Sequence, residues 1–136
     1  MAAEHGQIFA LHPQPTELSH DVLLRCVEEC MNCAASCTAC ADASVSEEDS
    51  QEMRAVIRLC LDCADLCQAT ERVVLRQTAP SIEVLAATVN ACAAACRASA
   101  GECDKHASHH EHCRLCAEAC RRCEQACLAV ASLTAR

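Results

Sequence analysis

Sixteen cysteines stand in a chain of 136 residues, and their spacing is helical. Cys26, Cys30, Cys33, Cys37 and Cys40 follow one another at intervals of 4, 3, 4 and 3; Cys113, Cys116, Cys120, Cys123 and Cys127 follow at 3, 4, 3 and 4. Cys60, Cys63 and Cys67 keep the same rule, and Cys92, Cys96 and Cys103 are spaced 4 and 7. Intervals of three and four put side chains on one face of an α-helix, at the a and d positions where Leu or Ile would normally pack. Cysteine is a small residue that buries readily. Each Leu-to-Cys exchange nevertheless forfeits buried area worth about 1 kcal/mol, so packing alone does not explain sixteen of them.

Thiolates are soft ligands that select Cu(I), Zn(II) and iron–sulfur clusters. Zinc takes four tetrahedral ligands, usually as two short chelating pairs, and a continuous ladder offers no discrete sets of four. Iron–sulfur signatures place three close cysteines in a loop and a fourth further away; that pattern is missing. Cu(I) accepts two or three sulfurs, and a shared thiolate can join one ion to the next. A tube of thiols therefore suits many Cu(I) ions. Disulfide scaffolding is the rival use of so many cysteines. Within one helix, however, Cβ atoms at i and i+3 or i+4 lie about 5–6 Å apart, beyond the roughly 3.8 Å a disulfide prefers.

Four helices must position these thiols. The sequence predicts a loose arm over 1–15, then helices over about 16–43, 46–78, 81–105 and 108–133. Thr16 or Ser19 opens the first. Ser46 with Asp49, and Ser108 with Glu111, read as capping boxes for the second and fourth; Pro80 and Ser81 mark the start of the third. Four helices of similar length joined by short turns predict an all-α, up-down-up-down antiparallel bundle with a cysteine-lined core. The first and last helices then run antiparallel, and 4-3-4-3 read backwards is 3-4-3-4, so their thiols face each other in layers.

This topology makes the two ends unlike. One collects Cys40, Met53, Cys103, His106, His109, His110 and Cys113; the other collects Leu23, Val74, Leu85, Val89 and Val130. Met53 is in phase with Cys60 and is either core filler or a weak thioether ligand. His106, His109 and His110 stand three or four residues from Cys103 or Cys113. They are copper ligands in one reading and a solvated turn in the other. His112, next to Cys113, is expected to point sideways, and His5, His12 and His20 toward solvent. Ser99, Val56 and Thr70 interrupt the thiol seams, and those layers are expected to bind less metal or to bind it with ligands from three helices. Ile57, Leu61 and Leu75 lie off the seam and suggest a second apolar face, hence a homo-oligomer.

The composition excludes several classes. The net charge of −8 and a single aromatic residue argue against nucleic acid, which needs clustered cations and stacking rings. No stretch approaches 18 uninterrupted apolar residues, so no membrane span is expected. Residues 1–15 lack the cationic start and apolar core of a signal peptide, which points to a reducing, cytoplasmic setting. No nucleophile–base pair is visible, and the seams lack the inward Glu and Glu-x-x-His pairs of ferritin-like enzymes, so no enzyme is expected.

The C-x3-C-x2-C-x3-C-x2-C segment at 26–40, its reverse at 113–127 and the His- and Met-bearing end resemble the bacterial copper storage proteins, over about 16–133. The absence of a signal peptide resembles their cytosolic branch. The resemblance implies a four-helix bundle that stores many Cu(I) ions on core thiolates, copper uptake at the His/Met end, and a homotetramer. A copper chaperone that hands Cu(I) to a partner is the first alternative, although such proteins usually carry one exposed C-x-x-C. A zinc or other soft-metal buffer of metallothionein type is the second.

Overall fold

The computed structural model describes residues 3–135. Its order is α1 (Glu4–Ala10), α2 (His20–Val45), a 3-10 turn (Ser50–Met53), α3 (Arg54–Leu75), α4 (Ile82–Asp104) and α5 (Glu111–Thr134). Among the described residues there is no strand. Helices α2 to α5 form the expected bundle. Each packs against its chain neighbours, and α5 closes the ring against α2.

The seams are where the spacing puts them. All sixteen cysteines are buried and free. Alanines fill the gaps between them: Ala34, Ala41, Ala64, Ala93, Ala100 and Ala117 are buried beside the sulfur column. Leu23, Val74, Leu85, Val89 and Val130 are buried at the far end. Helix α4 is long and apolar enough to cross a membrane by length and composition; in the bundle its Cys92, Cys96 and Cys103 face is fully buried against the other helices.

Ser19 caps α2 and Ser81 caps α4, each hydroxyl accepting the backbone N–H three residues on. The two expected capping boxes do not form. Ser46 follows the last turn of α2 rather than opening α3. The N-cap of α5 is His110, without a side-chain cap, and Glu111 pairs with Arg114 instead. Both serines lie in polar connections where the chain changes direction, so neither stands immediately before its helix. The second helix accordingly starts later than 46, through the 3-10 turn.

The expected loose arm is in part a helix. Phe9 of α1 is 4% exposed and its ring centroid lies 4.9 Å from that of His20. Gln77, buried, donates to the Phe9 carbonyl at 2.9 Å and accepts from the Thr16 N–H at 3.3 Å. One amide thus ties the N-terminal segment over the apolar end. The proposed outward apolar face is reduced too: Ile57 and Leu75 pack against the core, and of the three only Leu61 stands exposed.

The fold rests on buried thiols packed as small side chains and on the apolar end, so the reduced, metal-free protein should give a helical far-UV circular dichroism spectrum. Replacing Leu23 by Ala should lower the unfolding free energy by about 2–5 kcal/mol, read from denaturant midpoints of the metal-free protein.

Candidate metal site

The heptad spacing stacks the sulfurs of four helices into one column, with contacts of 3.5 to 4.0 Å. Cys37 meets Cys120 at 3.5 Å and Cys33 meets Cys63 and Cys120, each at 3.8 Å. Further along, Cys30 meets Cys123 at 3.6 Å and Cys67 meets Cys92 and Cys123, each at 3.7 Å. Cys26 lies 3.8 Å from Cys127. Toward the other end, Cys60 lies 3.8 Å from both Cys103 and Cys116. For a metal–sulfur bond of about 2.3 Å, neighbouring sulfurs in three- or four-fold coordination are about 3.8–4.0 Å apart. The contacts of the column lie at or just below that spacing.

The sulfurs fall into overlapping sets within 4.8 Å of one another: Cys30, Cys67, Cys92 and Cys123; Cys33, Cys63, Cys67 and Cys96; Cys33, Cys37, Cys63 and Cys120; Cys40, Cys60, Cys103 and Cys116. Cys33, Cys63 and Cys67 each belong to two of these. Isolated four-ligand sites cannot share ligands in this way, whereas bridged soft-ion clusters require it.

The histidines are distributed differently from the expectation. His112, expected to point sideways, reaches the thiols: its Nδ1 is 3.3 Å from Cys40 Sγ and 3.7 Å from Cys113 Sγ, while Nε2 is 2.8 Å from Glu47. It stands four residues before Cys116, and that interval, rather than adjacency to Cys113, was the signal for its inward face. His110 is held by carboxylates through both ring nitrogens, Nδ1 to Glu47 at 2.9 Å and Nε2 to Asp49 at 3.1 Å. His106 lies 3.9 Å from Glu102 and His109 is exposed. Among the described residues, none of these three hydrogen-bonds a thiol. Met53 is fully buried in the 3-10 turn that enters α3.

Electrostatics at this end follow from those contacts. Hydrogen bonds from Cys103 and Cys116, with a weaker one from His112, draw the Cys40 thiol down to about 6. Burial, then the neighbouring Cys40, pushes the Cys113 thiol up to about 12. Burial opposes the charged form of His112, but Cys40 and Glu47 outweigh it and raise its pKa. The hydrogen bond to Asp49 raises that of His110 and lowers that of Asp49.

The sequence profile described as copper storage protein matches residues 19–132. The chain belongs to the copper storage protein family. Its fold agrees with that of Ccsp, the copper storage protein of Streptomyces lividans, loaded with 10 copper equivalents. The two are 43% identical with a TM-score of 0.93, over 95% of this chain and 98% of that one. The cytosolic Streptomyces lividans protein with five coppers is 49% identical, with a TM-score of 0.82 over 82% of this chain and 93% of its own. A search of curated proteins found no match.

The His110–Asp49 pair joins the turn after α2 to the start of α5 and should show in pH dependence. A raised histidine contributes stability below its unfolded value near 6.5 and loses it as pH rises through the folded value. A lowered aspartate contributes above about 4 and loses it as pH falls through its folded value. Replacing His110 by Gln should therefore depress the melting temperature of the metal-free protein more at pH 5.5 than at pH 8.5, read by circular dichroism.

Proposed function

We propose that this chain is a cytosolic Cu(I) store, a binding protein rather than an enzyme, and that it works as a homotetramer. The observation that carries the reading is the overlap of the four-sulfur sets along one buried column. A carrier for a single ion needs one exposed pair; this column has sixteen buried thiols, with no thiol more than 2% exposed. Cu(I) fits the column because it is soft and accepts bridging thiolates. Each ligand must be a thiolate, so loading releases protons. The cytosolic setting rests on the reducing conditions that free thiols require and on the likeness to the cytosolic Streptomyces lividans protein. The tetramer rests on family resemblance and on exposed apolar residues such as Leu61 and Leu115.

Titration of the reduced protein with Cu(I), anaerobically and against a competing chelator, tests the store. Saturation should come at on the order of one Cu(I) per one to two thiols, with protons released in step. Saturation near one ion per chain would point to a chaperone. Preference for Zn(II) over Cu(I) in competition would point to a zinc buffer. Light scattering at micromolar protein should give four times the chain mass.

Copper passes inward at the His112 end. The acidic Glu47 and Asp49 lie outside it, His112 bridges Glu47 to Cys40, and the opposite end is closed by Leu23, Val74, Leu85 and Val130. Met53, His106, His109 and His110 line the same end, and His110 would need to leave its carboxylates before binding an ion. Imidazole holds Cu(I) less tightly than thiolate, so ions are handed on. Replacing His112 by Ala should slow the initial uptake roughly tenfold, the scale at which ligand-orienting groups act, and leave most of the final loading. Replacing Cys30, Cys33, Cys120 and Cys123 by Ser should lower capacity with little change in initial rate. Stopped-flow uptake at a wild-type rate in the His112 variant would place the route elsewhere.

A further inference from the structure

Ser99 lies on the inner seam of α4, three residues after Cys96 and four before Cys103, where the spacing calls for a thiol. It is fully buried. A buried helical hydroxyl ordinarily bonds back to the carbonyl one turn earlier. The other two buried hydroxyls of the bundle helices do so: Thr70 donates to the Leu66 carbonyl at 2.7 Å, and Ser44, four residues past Cys40 on the α2 seam, donates to the Cys40 carbonyl at 2.8 Å. Ser99 does not. Its hydroxyl sits among three thiols: Cys120 at 3.5 Å, Cys60 at 3.6 Å and Cys37 at 3.9 Å.

Those three thiols come from α5, α3 and α2, so with Ser99 of α4 the layer takes one side chain from each helix. The sets Cys30–Cys67–Cys92–Cys123 and Cys40–Cys60–Cys103–Cys116 are built in the same way with four sulfurs. The Ser99 layer is their counterpart with oxygen in the place of the α4 sulfur. It also lies at a junction. The set nearest His112 and the inner sets meet at Cys116 and Cys37, 3.7 Å apart, and at Ser99, which touches Cys60 on one side and Cys37 and Cys120 on the other.

We propose that Ser99 sets the copper capacity of this layer, a deepening that rests on the Cu(I)-storage reading. A neutral hydroxyl is a poor ligand for Cu(I) beside three thiolates. The layer therefore holds copper through sulfur from α2, α3 and α5 only. On the α4 side no thiolate bridges the set nearest His112 to the inner sets. The hydroxyl hydrogen-bonds to the sulfurs and keeps the position filled without binding an ion.

The test compares the full-length reduced wild type with Ser99→Cys and Ser99→Ala. Each is titrated anaerobically with Cu(I) against a competing chelator and counted by native mass spectrometry, with circular dichroism to confirm the fold. Ser99→Cys should bind about one more Cu(I) per chain than wild type, and Ser99→Ala the same number as wild type. An unchanged count in a folded Ser99→Cys protein would overturn the proposal, since the layer would then not be limited by its missing sulfur. A loss of one ion in Ser99→Ala would also overturn it, because the hydroxyl would then be a ligand. The storage reading is judged separately, by whether the wild type itself takes up many ions.

Discussion

Close contact between sulfur atoms, at 3.5 to 4.0 Å across four helices, is the constraint on which the rest of the structure depends. A thiol is too short to bridge widely separated helices, so the helices must approach closely. That is why alanines such as Ala34, Ala41, Ala64, Ala93, Ala100 and Ala117 are buried beside the column, and why a core with one Phe and no Tyr or Trp is sufficient. Larger side chains would push the helices apart and break the contacts. The cost is apolar area, since a Cys buries less than a Leu. The chain recovers it at one end, where Leu23, Val74, Leu85, Val89 and Val130 are buried. The column and the apolar end are thus complementary parts of one core, the first supplying ligands and the second supplying much of the hydrophobic area.

This division is why the chain is expected to fold without metal. In a zinc finger the ligands are too few and too scattered to form a core, and the metal supplies the folding free energy. Here protonated thiols already pack as small hydrophobes, and two of the four bundle helices begin with a serine cap. Surface ion pairs such as Arg122 with Glu29 at 3.4 Å add little at their exposure.

The bundle, its topology, the inward thiols and the contrast between its ends were legible because all of them follow from one periodicity. The details that escaped depend on contacts between distant segments. Helix α1 has no periodic signal in seven residues; its place comes from Phe9 meeting His20 and from Gln77, 68 positions away from the Phe9 carbonyl it bonds. The capping boxes at Ser46 and Ser108 matched in pattern, but the turns around them set the true helix starts. Adjacency to Cys113 points His112 sideways, whereas its four-residue interval to Cys116 sets the inward face that reaches Cys40. His110 was placed at the correct end, yet its partners Glu47 and Asp49 come from the turn after α2, which no spacing within α5 reveals. Ser99 is legible as a gap whose layer draws on three helices; that its hydroxyl meets Cys37, Cys60 and Cys120 follows only from the packing.

Charge balance gives the column its chemical logic. A buried ion is costly unless compensated. One Cu(I) held by two thiolates that serve no other ion leaves a net charge of −1 in the core, and many such sites would accumulate charge in a low-dielectric interior. When each thiolate is shared between two ions, the ratio approaches one Cu(I) per thiolate and the core approaches neutrality. The overlapping sets, with Cys33, Cys63 and Cys67 each in two, provide for that sharing. Bridging thus follows from burial as much as from the preferences of copper: a column this dry can hold many ions only if its sulfurs are shared. A position that cannot become a thiolate, such as Ser99, removes both a ligand and the negative charge that would balance one more ion.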